Sequence, residues 1–435
     1  MAEDNPPFST DSHLQIGIEI EFVAPRNTAW EDEHLPFVEH WNHTNLSKDV
    51  CFHRLAEALH AAGLPSCYQM KTTPLRCSRN PLLAAAPRDA VVLQSCRLLG
   101  DPLRFRVRDG RAGIFRYWLV KGEHNLTDVS AYKTWIECEL NTPILAEADV
   151  AVGFLPQLGT ALAALHAAAA NAPPHVCPRR CGLHVHLSLA APGGCTLDYA
   201  RRVLTLALVL DQSVLYPLCD RTRRDFGRPF LSAASLASRA DLLVPHTPRL
   251  SAHALAHLPR GLVAAEGRAL AYLWHAASFD ELQPMLEHHR ADLHMVAPVL
   301  CKHKHAAPCA ADEPLGGATA TTIEFRCAQA SFSARFVRAW ARLVLAVGRV
   351  ALLPTDEYRA ALGRMWMAAQ VSGGTVVERE EATMATLAEL SVAAVGAGML
   401  GGGLDLAYWR VRYGLMRAGR NPDIDEQGRA VLDQD

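Results

Sequence analysis

Residues 14–22 read LQIGIEIEF, and the fold class is inferred from this segment outward. Its apolar residues alternate with Gln15, Gly17, Glu19 and Glu21, and a two-residue period is typical of a β-strand with one buried face. Both glutamates therefore lie on the polar face, about 6.6 Å apart along the strand. At that separation, two carboxylates can each reach a cation above the sheet.

Three further segments repeat this design, and the sequence predicts a strand over each of residues 135–142, 182–189 and 321–328. Any one polar face is equally typical of the solvated side of a half-buried sheet. Together, however, the four faces are dominated by glutamate and histidine rather than by the usual mixture of lysine, threonine, serine and glutamine. They carry Glu19, Glu21, Glu137, Glu139, His184, His186, Glu324 and Arg326, and the motif cores contain no lysine.

Helices separate these strands. Helical periodicity extends over residues 196–218 and 333–353, and an alanine-rich run covers 158–170. With long insertions at 24–117 and 219–320, the pattern predicts an α+β fold with an antiparallel or mixed sheet. We expect one catalytic domain over residues 1–354 and a helical C-terminal extension over 355–435, whose polar end, from Asn421 onward, is expected to fray.

The composition excludes several classes of protein. The chain has 435 residues, of which 50% are hydrophobic and 20% charged, and its formal net charge is −2. Neither nucleic acid nor an anionic membrane is an expected partner, because both bind to clustered positive charge. The first ten residues show no secretory signal and no apolar run reaches a spanning length of about 20 residues, so a cytoplasmic location is expected.

The polar side chains predict a metal site. If the four faces adjoin, five carboxylates would repel one another and raise their own pKa values unless positive charge were present. A divalent cation supplies that charge, and a carboxylate-rich set of ligands suits Mg²⁺ or Mn²⁺ better than Zn²⁺. A zinc site built on Cys177, Cys181, His184 and His186 is the alternative, although its spacing differs from that of zinc fingers.

The motifs resemble those of a known family. The strings GIEIEF (17–22), ECELNTPIL (137–145), CGLHVHLS (181–188) and TIEFR (322–326) are similar, in this order, to motifs of the amidoligases, distant relatives of glutamine synthetase and glutamate–cysteine ligase. The resemblance spans roughly residues 14–350 by scattered motifs. It implies a glutamine-synthetase-like curved sheet with one polar, metal-binding face and with helices packed on the other.

The resemblance also implies an activity, which is ATP- and Mg²⁺- (or Mn²⁺-) dependent joining of a carboxylate to an amine through an acyl phosphate. His186 and Arg326 would face the nucleotide phosphates, with Arg326 as a catalytic residue that stabilises the transferring phosphoryl group. Glu137 is assigned either to metal ligation or to support of the ligands. The metal ligands implied are Glu19, Glu21, Glu139, His184 and Glu324.

Other features leave alternatives open. Arg221, Arg223 and Arg224 are candidates for binding ATP phosphates, or else belong to a solvated turn. Amidoligases have an aspartate after a tryptophan-containing strand, whereas here residues 118–120 lead into Lys121, Gly122 and Glu123. A metal-dependent amide hydrolase is an alternative function, because histidines with carboxylates also activate water. A binding protein without turnover is another. The substrate would be a small molecule or peptide; the acid, the amine and the oligomeric state stay open.

Overall fold

The computed structural model of the chain describes residues 14–25, 46–69, 96–98, 117–152, 154–168, 172–190, 194–223, 249–290, 293–296, 299–303, 321–370 and 374–433. The strands in these ranges are β1 (Leu14–Ala24), β2 (Ser66–Gln69), β3 (Cys96–Leu98), β4 (Trp118–Gly122), β5 (Ile136–Asn141), β6 (Leu145–Ala146), β7 (Gly182–Leu189), β8 (Glu287–Arg290), β9 (Leu293–Val296), β10 (Val299–His303) and β11 (Thr321–Gln329). The α-helices are α1 (Leu46–Ala61), α2 (Glu147–Val152), α3 (Phe154–Ala168), α4 (Leu197–Leu210), α5 (Ala252–His257), α6 (Arg260–His275), α7 (Phe279–Leu286), α8 (Ala334–Ala351), α9 (Thr355–Ala369), α10 (Val376–Gly396) and α11 (Leu406–Arg417).

A mixed sheet forms the centre of the molecule. Its strands follow the order β10-β11-β7-β1-β5-β4-β2-β3, and the short β6 also pairs with β1. Strand β2 runs parallel to β4, whereas the other neighbours in this sheet are antiparallel. The four strands predicted from alternation are confirmed as β1, β5, β7 and β11. They are adjacent to one another, and so their polar faces form one surface.

The apolar face of the sheet is covered by helices. In β1 the side chains of Leu14, Ile16, Ile18, Ile20 and Phe22 are at most 1% exposed, and α8 contacts both β1 and β7 on this side. Full burial of each such side chain stabilises the fold by roughly 1.5–3 kcal/mol. The alternation in the sequence therefore reflects a strand held between a helical layer and a polar surface.

Helix α8 approaches the sheet most closely at Gly348. A Cβ atom at this position would lie 2.9 Å from the Tyr199 hydroxyl, 3.0 Å from Leu187 Cδ2 and 3.1 Å from Leu14 Cδ1. Only glycine fits this gap without displacing its neighbours. At its N-terminus α8 is capped by Ser333, whose side chain accepts a hydrogen bond from the backbone N–H of Phe336.

Helices α9, α10 and α11 pack on the same hydrophobic core as the sheet, to which Tyr358, Leu387 and Trp409 belong. The polar segment from Asn421 does not show the expected fraying. In the structure, residues 421–433 are folded against the core. Asp423 explains this difference. Its carboxylate is buried and accepts hydrogen bonds from Arg412 and from the side chain of Gln329, the last residue of β11.

Strands β2, β3 and β10 lie inside the segments that the sequence marks as insertions, so the insertions extend the sheet at both edges. Among the described helices, none combines the length and apolar character needed to cross a bilayer.

Candidate metal centre

The strand register brings the predicted residues together on the polar face. Glu19 on β1 lies opposite His184 on β7, and Glu21 lies opposite Glu139 on β5. On the other side of β7, His186 lies opposite Glu324 on β11. Residues that pair across neighbouring strands project to the same face of a sheet. The five predicted ligands and His186 therefore lie close together on the polar face of four adjacent strands, β5, β1, β7 and β11.

One set of possible ligands, the first donor group, consists of Glu19, His186 and Glu324. A ligand atom of each lies within 4.8 Å of those of the other two. His186 Nε2 is 3.3 Å from Glu19 Oε1 and 3.6 Å from Glu324 Oε1. This nitrogen is buried and has no hydrogen-bond partner among the described residues. A buried nitrogen without a partner, aimed at two carboxylates, is typical of a ligand atom.

A second donor group consists of Glu21, Glu123 and Glu139, again with ligand atoms within 4.8 Å of one another. Glu123 was not among the residues that the sequence assigned to the metal. It follows β4 directly, and its backbone N–H donates to the Glu137 carbonyl of β5 at 3.2 Å. Lys121 pairs with Glu139 and so lies on the polar face. Glu123 follows two residues later, and this two-residue spacing in the sequence indicates that it lies on the same face.

His184 lies between the two donor groups. Its Nδ1 is 3.3 Å from Glu19 Oε2 and 3.5 Å from Glu324 Oε1, and its Nε2 is 3.7 Å from Glu21 Oε1. The ring is almost completely buried. The imidazole therefore contacts carboxylates of both groups and can serve either one.

Gly182 makes room for the His184 ring. A Cβ atom at position 182 would lie 2.3 Å from His184 Nε2 and 3.0 Å from a guanidinium nitrogen of Arg223. The backbone N–H of Gly182 also donates to Glu21 Oε2 at 2.6 Å. The glycine in the string CGLHVHLS thus permits the close packing of a histidine and orients one carboxylate.

Three cations border the donor groups. Lys121 Nζ lies 2.8 Å from Glu139 Oε1 and 4.0 Å from Glu19 Oε1. Lys302 Nζ lies 2.9 Å from Glu324 Oε2, and Arg326 Nη1 donates to Glu324 Oε1 at 2.5 Å. The two lysines come from β4 and β10, outside the motifs. The charge of the carboxylates is therefore partly neutralised by Arg326, which the sequence assigned to the site, and by two lysines, whose pairing with the glutamates the sequence did not indicate.

These neighbours perturb the carboxylates in opposite directions. Burial opposes the ionisation of Glu324, but His186, Arg326, His184 and Lys302 outweigh it and lower its pKa to about 2. Burial likewise opposes the ionisation of Glu19, yet its positive neighbours hold its pKa well below the usual value.

Glu139 differs, because its pKa is raised well above the usual value by burial and by the neighbouring charge of Glu19, although Lys121 opposes this. Negative charge is therefore least well compensated at the second donor group. A cation bound there would meet the greatest unbalanced charge in the site.

Arg326 lies at a β-bulge, because the register of β11 against β7 shifts between Phe325 and Ala328. Arg223, which is buried, donates to the Arg326 carbonyl at 2.8 Å and to the Arg179 carbonyl at 3.1 Å. The bulge is thereby tied to the segment that precedes β7. Bulges are common beside functional sites, and here the bulge contains Arg326, whose guanidinium contacts Glu324.

The other candidates lie apart from the two groups. The Glu137 carboxylate accepts the backbone N–H of Leu126 at 2.8 Å and belongs to neither donor group. Arg221 is exposed and makes no ion pair with a described residue, and Arg224 lies outside the described residues. Arg223, which was a candidate for phosphate binding too, is buried and contacts the site through the bulge that it anchors.

The donor set fits a hard divalent cation. Its ligand atoms are carboxylate oxygens and imidazole nitrogens, the combination that favours Mg²⁺ or Mn²⁺ when oxygens predominate. Cys177 and Cys181 are buried and join neither donor group, so the described residues give no thiolate ligand for zinc. A scan against protein-family models gave no match for this chain, and a search of curated proteins found no significant relative.

Proposed function

We propose that the chain is an ATP- and Mg²⁺- (or Mn²⁺-) dependent ligase that joins a carboxylate to an amine, built on a glutamine-synthetase-like sheet. The observation that carries the proposal is the pair of adjoining donor groups on one sheet face, with His184 between them and with Arg326 at their border. Two neighbouring sites for divalent cations beside an arginine are what phosphoryl transfer requires, because that step depends on positioning and charge neutralisation.

The chemistry follows from the weakness of a carboxylate as an electrophile. In the first step a carboxylate oxygen of the substrate attacks the γ-phosphorus of ATP, which gives an acyl phosphate and ADP. In the second, the amine attacks the acyl carbon and expels inorganic phosphate. The amine nitrogen loses one proton, and an amide is formed. The nucleotide thus supplies the leaving group that a free carboxylate lacks.

The residues of this chain contribute position and charge. Glu19, His186 and Glu324 would hold one cation and Glu21, Glu123 and Glu139 the other, and the cations would neutralise phosphate oxygens. Arg326 is fixed to Glu324 through one Nη atom, which leaves its planar fork oriented to bind a phosphoryl oxygen. The ion pair with Glu324 also keeps Arg326 charged, since it raises the pKa of the guanidinium although burial opposes this.

A second candidate is a binding protein that uses the same face without turnover. Lys121 and Lys302 favour it, because each already pairs with a carboxylate of a donor group at less than 3 Å. Ion pairs of this kind stabilise a buried acidic cluster in the absence of metal. In a binding protein the two lysines would remain paired with the glutamates. In the ligase, metal cations would displace them from these carboxylates.

The test is ADP release by the purified full-length chain with ATP, Mg²⁺ and pools of amino acids and dicarboxylates. We expect release that depends on both an acid and an amine. Glu21→Gln and Arg326→Ala should each lower the rate at least about 100-fold without changing the circular dichroism spectrum, because each removes a charge that the transition state needs. Glu389→Gln, an exposed glutamate that pairs with Arg364 on the helical layer, is the matched control.

Wild-type rates in both site variants would contradict the ligase. Binding of Mn²⁺ without ADP release on any pool would instead favour the binding protein.

A further inference from the structure

A separate cavity of about 960 Å³ lies on the helical side of the sheet, away from the donor groups. Helix α8 lines it with Arg335, Arg338 and Arg342, which recur at i, i+3 and i+7 and so share one face of the helix. The volume is within the range of about 300–1,000 Å³ that small-molecule sites occupy. We call this space the arginine cavity.

Two walls of the arginine cavity are formed by small residues, so the main chain lies close to the three arginines. Gly159 and Ala163 of α3 form one side, and Gly401 and Gly403 of the loop between α10 and α11 form another. Small residues on two sides leave room for a ligand against the guanidinium groups. Tyr408 closes the end beside Arg335, whose guanidinium lies 4.8 Å from the centre of its ring.

Arg342 is anchored by carbonyl groups. Its Nη2 lies within hydrogen-bond distance of the carbonyl oxygens of Gly401, Gly402 and Gly403, at 3.0, 2.6 and 3.1 Å. Gly401 and Gly402 have φ angles of +71° and +81°, which side chains other than glycine rarely adopt. The glycine run thus shapes a loop around the guanidinium and fixes its position in the cavity wall.

The two inner arginines have neutral partners only. Neither Arg338 nor Arg342 makes an ion pair with a carboxylate among the described residues. Arg338 donates to the Ala151 carbonyl at 3.1 Å, and its Nε is buried without a hydrogen-bond partner. Burial and the adjacent charge of Arg338 lower the pKa of Arg342, although Glu147 opposes them. Two neighbouring positive charges therefore line the cavity, and no carboxylate among the described residues forms a direct ion pair with either.

Arg335, at the outer end of the same row, already has carboxylates as partners. Asp405 lies 3.8 Å from the guanidinium of Arg335, and the Asp433 carboxylate accepts the backbone N–H of Arg335 at 2.9 Å, near the positive end of α8. Carboxylates of the chain itself thus occupy the first position of the arginine row. The second and third positions have the same chemistry and no such partner.

We propose that the arginine cavity binds a small anionic molecule through a carboxylate or phosphate group held by Arg338 and Arg342. Side chains four residues apart on a helix have Cβ atoms about 6 Å apart, so both guanidinium groups can reach one oxyanion. Guanidinium also matches carboxylate and phosphate in a bidentate geometry. This site is distinct from the metal centre and does not depend on the proposed ligase activity.

The test is isothermal titration calorimetry of the full chain in metal-free buffer, with citrate as the carboxylate probe and pyrophosphate as the phosphate probe. We expect at least one probe to bind. Arg338→Gln should raise its Kd about tenfold or more, since a charge-assisted hydrogen bond is lost. Arg364→Gln, an exposed arginine on α9, should leave the Kd unchanged, and Arg326→Gln should do so too if the probe binds away from the metal centre.

A second variant tests the same site in case Arg338→Gln does not fold. Ala163 is an exposed wall residue of α3, so Ala163→Glu should fold and place a competing carboxylate in the cavity, which weakens the same probe. Binding of citrate alone would identify a carboxylate ligand, and binding of pyrophosphate alone a phosphate ligand. The proposal is overturned if neither probe binds, if Arg338→Gln and Ala163→Glu both bind like the wild type, or if Arg326→Gln abolishes binding.

Discussion

Replacing Gly182 by alanine is the smallest change that should disable the metal centre. The added Cβ would lie 2.3 Å from His184 Nε2, whereas ordinary contacts begin at 3.4 Å, so the ring nitrogen must move by about 1.1 Å. The ring has little space for this, because three carboxylates lie within 3.7 Å of its nitrogens. The buried Arg223 closes the remaining side, at 3.0 Å from the new methyl group.

The size of the effect follows from that displacement. Metal sites tolerate deviations of about 0.2 Å in ligand distance, and changes in the groups that orient ligands typically weaken metal binding 10- to 100-fold. We therefore expect the Kd for Mn²⁺ to rise at least about tenfold in Gly182→Ala, measured by isothermal titration calorimetry. Overpacking of a buried site should also lower the free energy of unfolding by about 1–3 kcal/mol, measured by urea denaturation.

Gly17 provides the matched control, since it lies on the polar face of the neighbouring strand and pairs with His186. A Cβ there would lie 3.9 Å from His186 Cβ, an ordinary van der Waals contact. Gly17→Ala should therefore keep wild-type affinity for Mn²⁺. The reasoning is refuted if Gly182→Ala binds Mn²⁺ like the wild type, or if both alanine variants lose affinity equally.

Three further predictions concern stability. Burial lowers the pKa of His257 to about 4. As the pH falls from about 6.5 to 4, this imidazole is therefore protonated in the unfolded chain before it is protonated in the folded one. Over this window the free energy of unfolding should drop by up to about 3 kcal/mol. In urea denaturation, His257→Gln should lose this component of the pH dependence, and the exposed His253→Gln should retain it. Asp423→Asn leaves the buried guanidinium of Arg412 without its counter-ion and should cost about 3–5 kcal/mol, measured by urea denaturation; a cost below 1 kcal/mol would contradict the ion-pair argument. Gly348→Ala should cost about 1–3 kcal/mol by the same measurement, because the methyl group meets three side chains at 3.1 Å or less; unchanged stability would show that α8 can move away from the sheet.

The sequence predicted the central strands because each carries its own signal. Strands β1, β5, β7 and β11 bury one face against helices, and this forces strict alternation over six or more residues. The polar partners then follow from the two-residue period alone. Their adjacency in space was a hypothesis at that point, and the register of Glu19 with His184 and of His186 with Glu324 confirms it.

The shorter strands β4 and β10 carried no comparable signal. Strands β4 and β10 have five residues each, and four of the five in β4 are buried, so alternation is hidden. The contribution of Glu123 and Lys121 depends on the pairing of β4 with β5, and that of Lys302 on the pairing of β10 with β11. Such pairing is decided by tertiary packing rather than by local sequence. The sequence therefore indicates the acidic centre of the site and Arg326, but not that Lys121 and Lys302 pair with its carboxylates.

Those cations bear on how many metal ions the site can hold. The two donor groups contain five glutamates, and Lys121, Lys302 and Arg326 supply three positive charges beside them. Five carboxylates against three cations leave a formal excess of two negative charges, which one divalent cation balances. A second cation would leave the site positive unless a lysine withdrew or an anion entered. The triphosphate of ATP is such an anion, and so the charge balance favours binding of the second metal ion together with the nucleotide rather than before it.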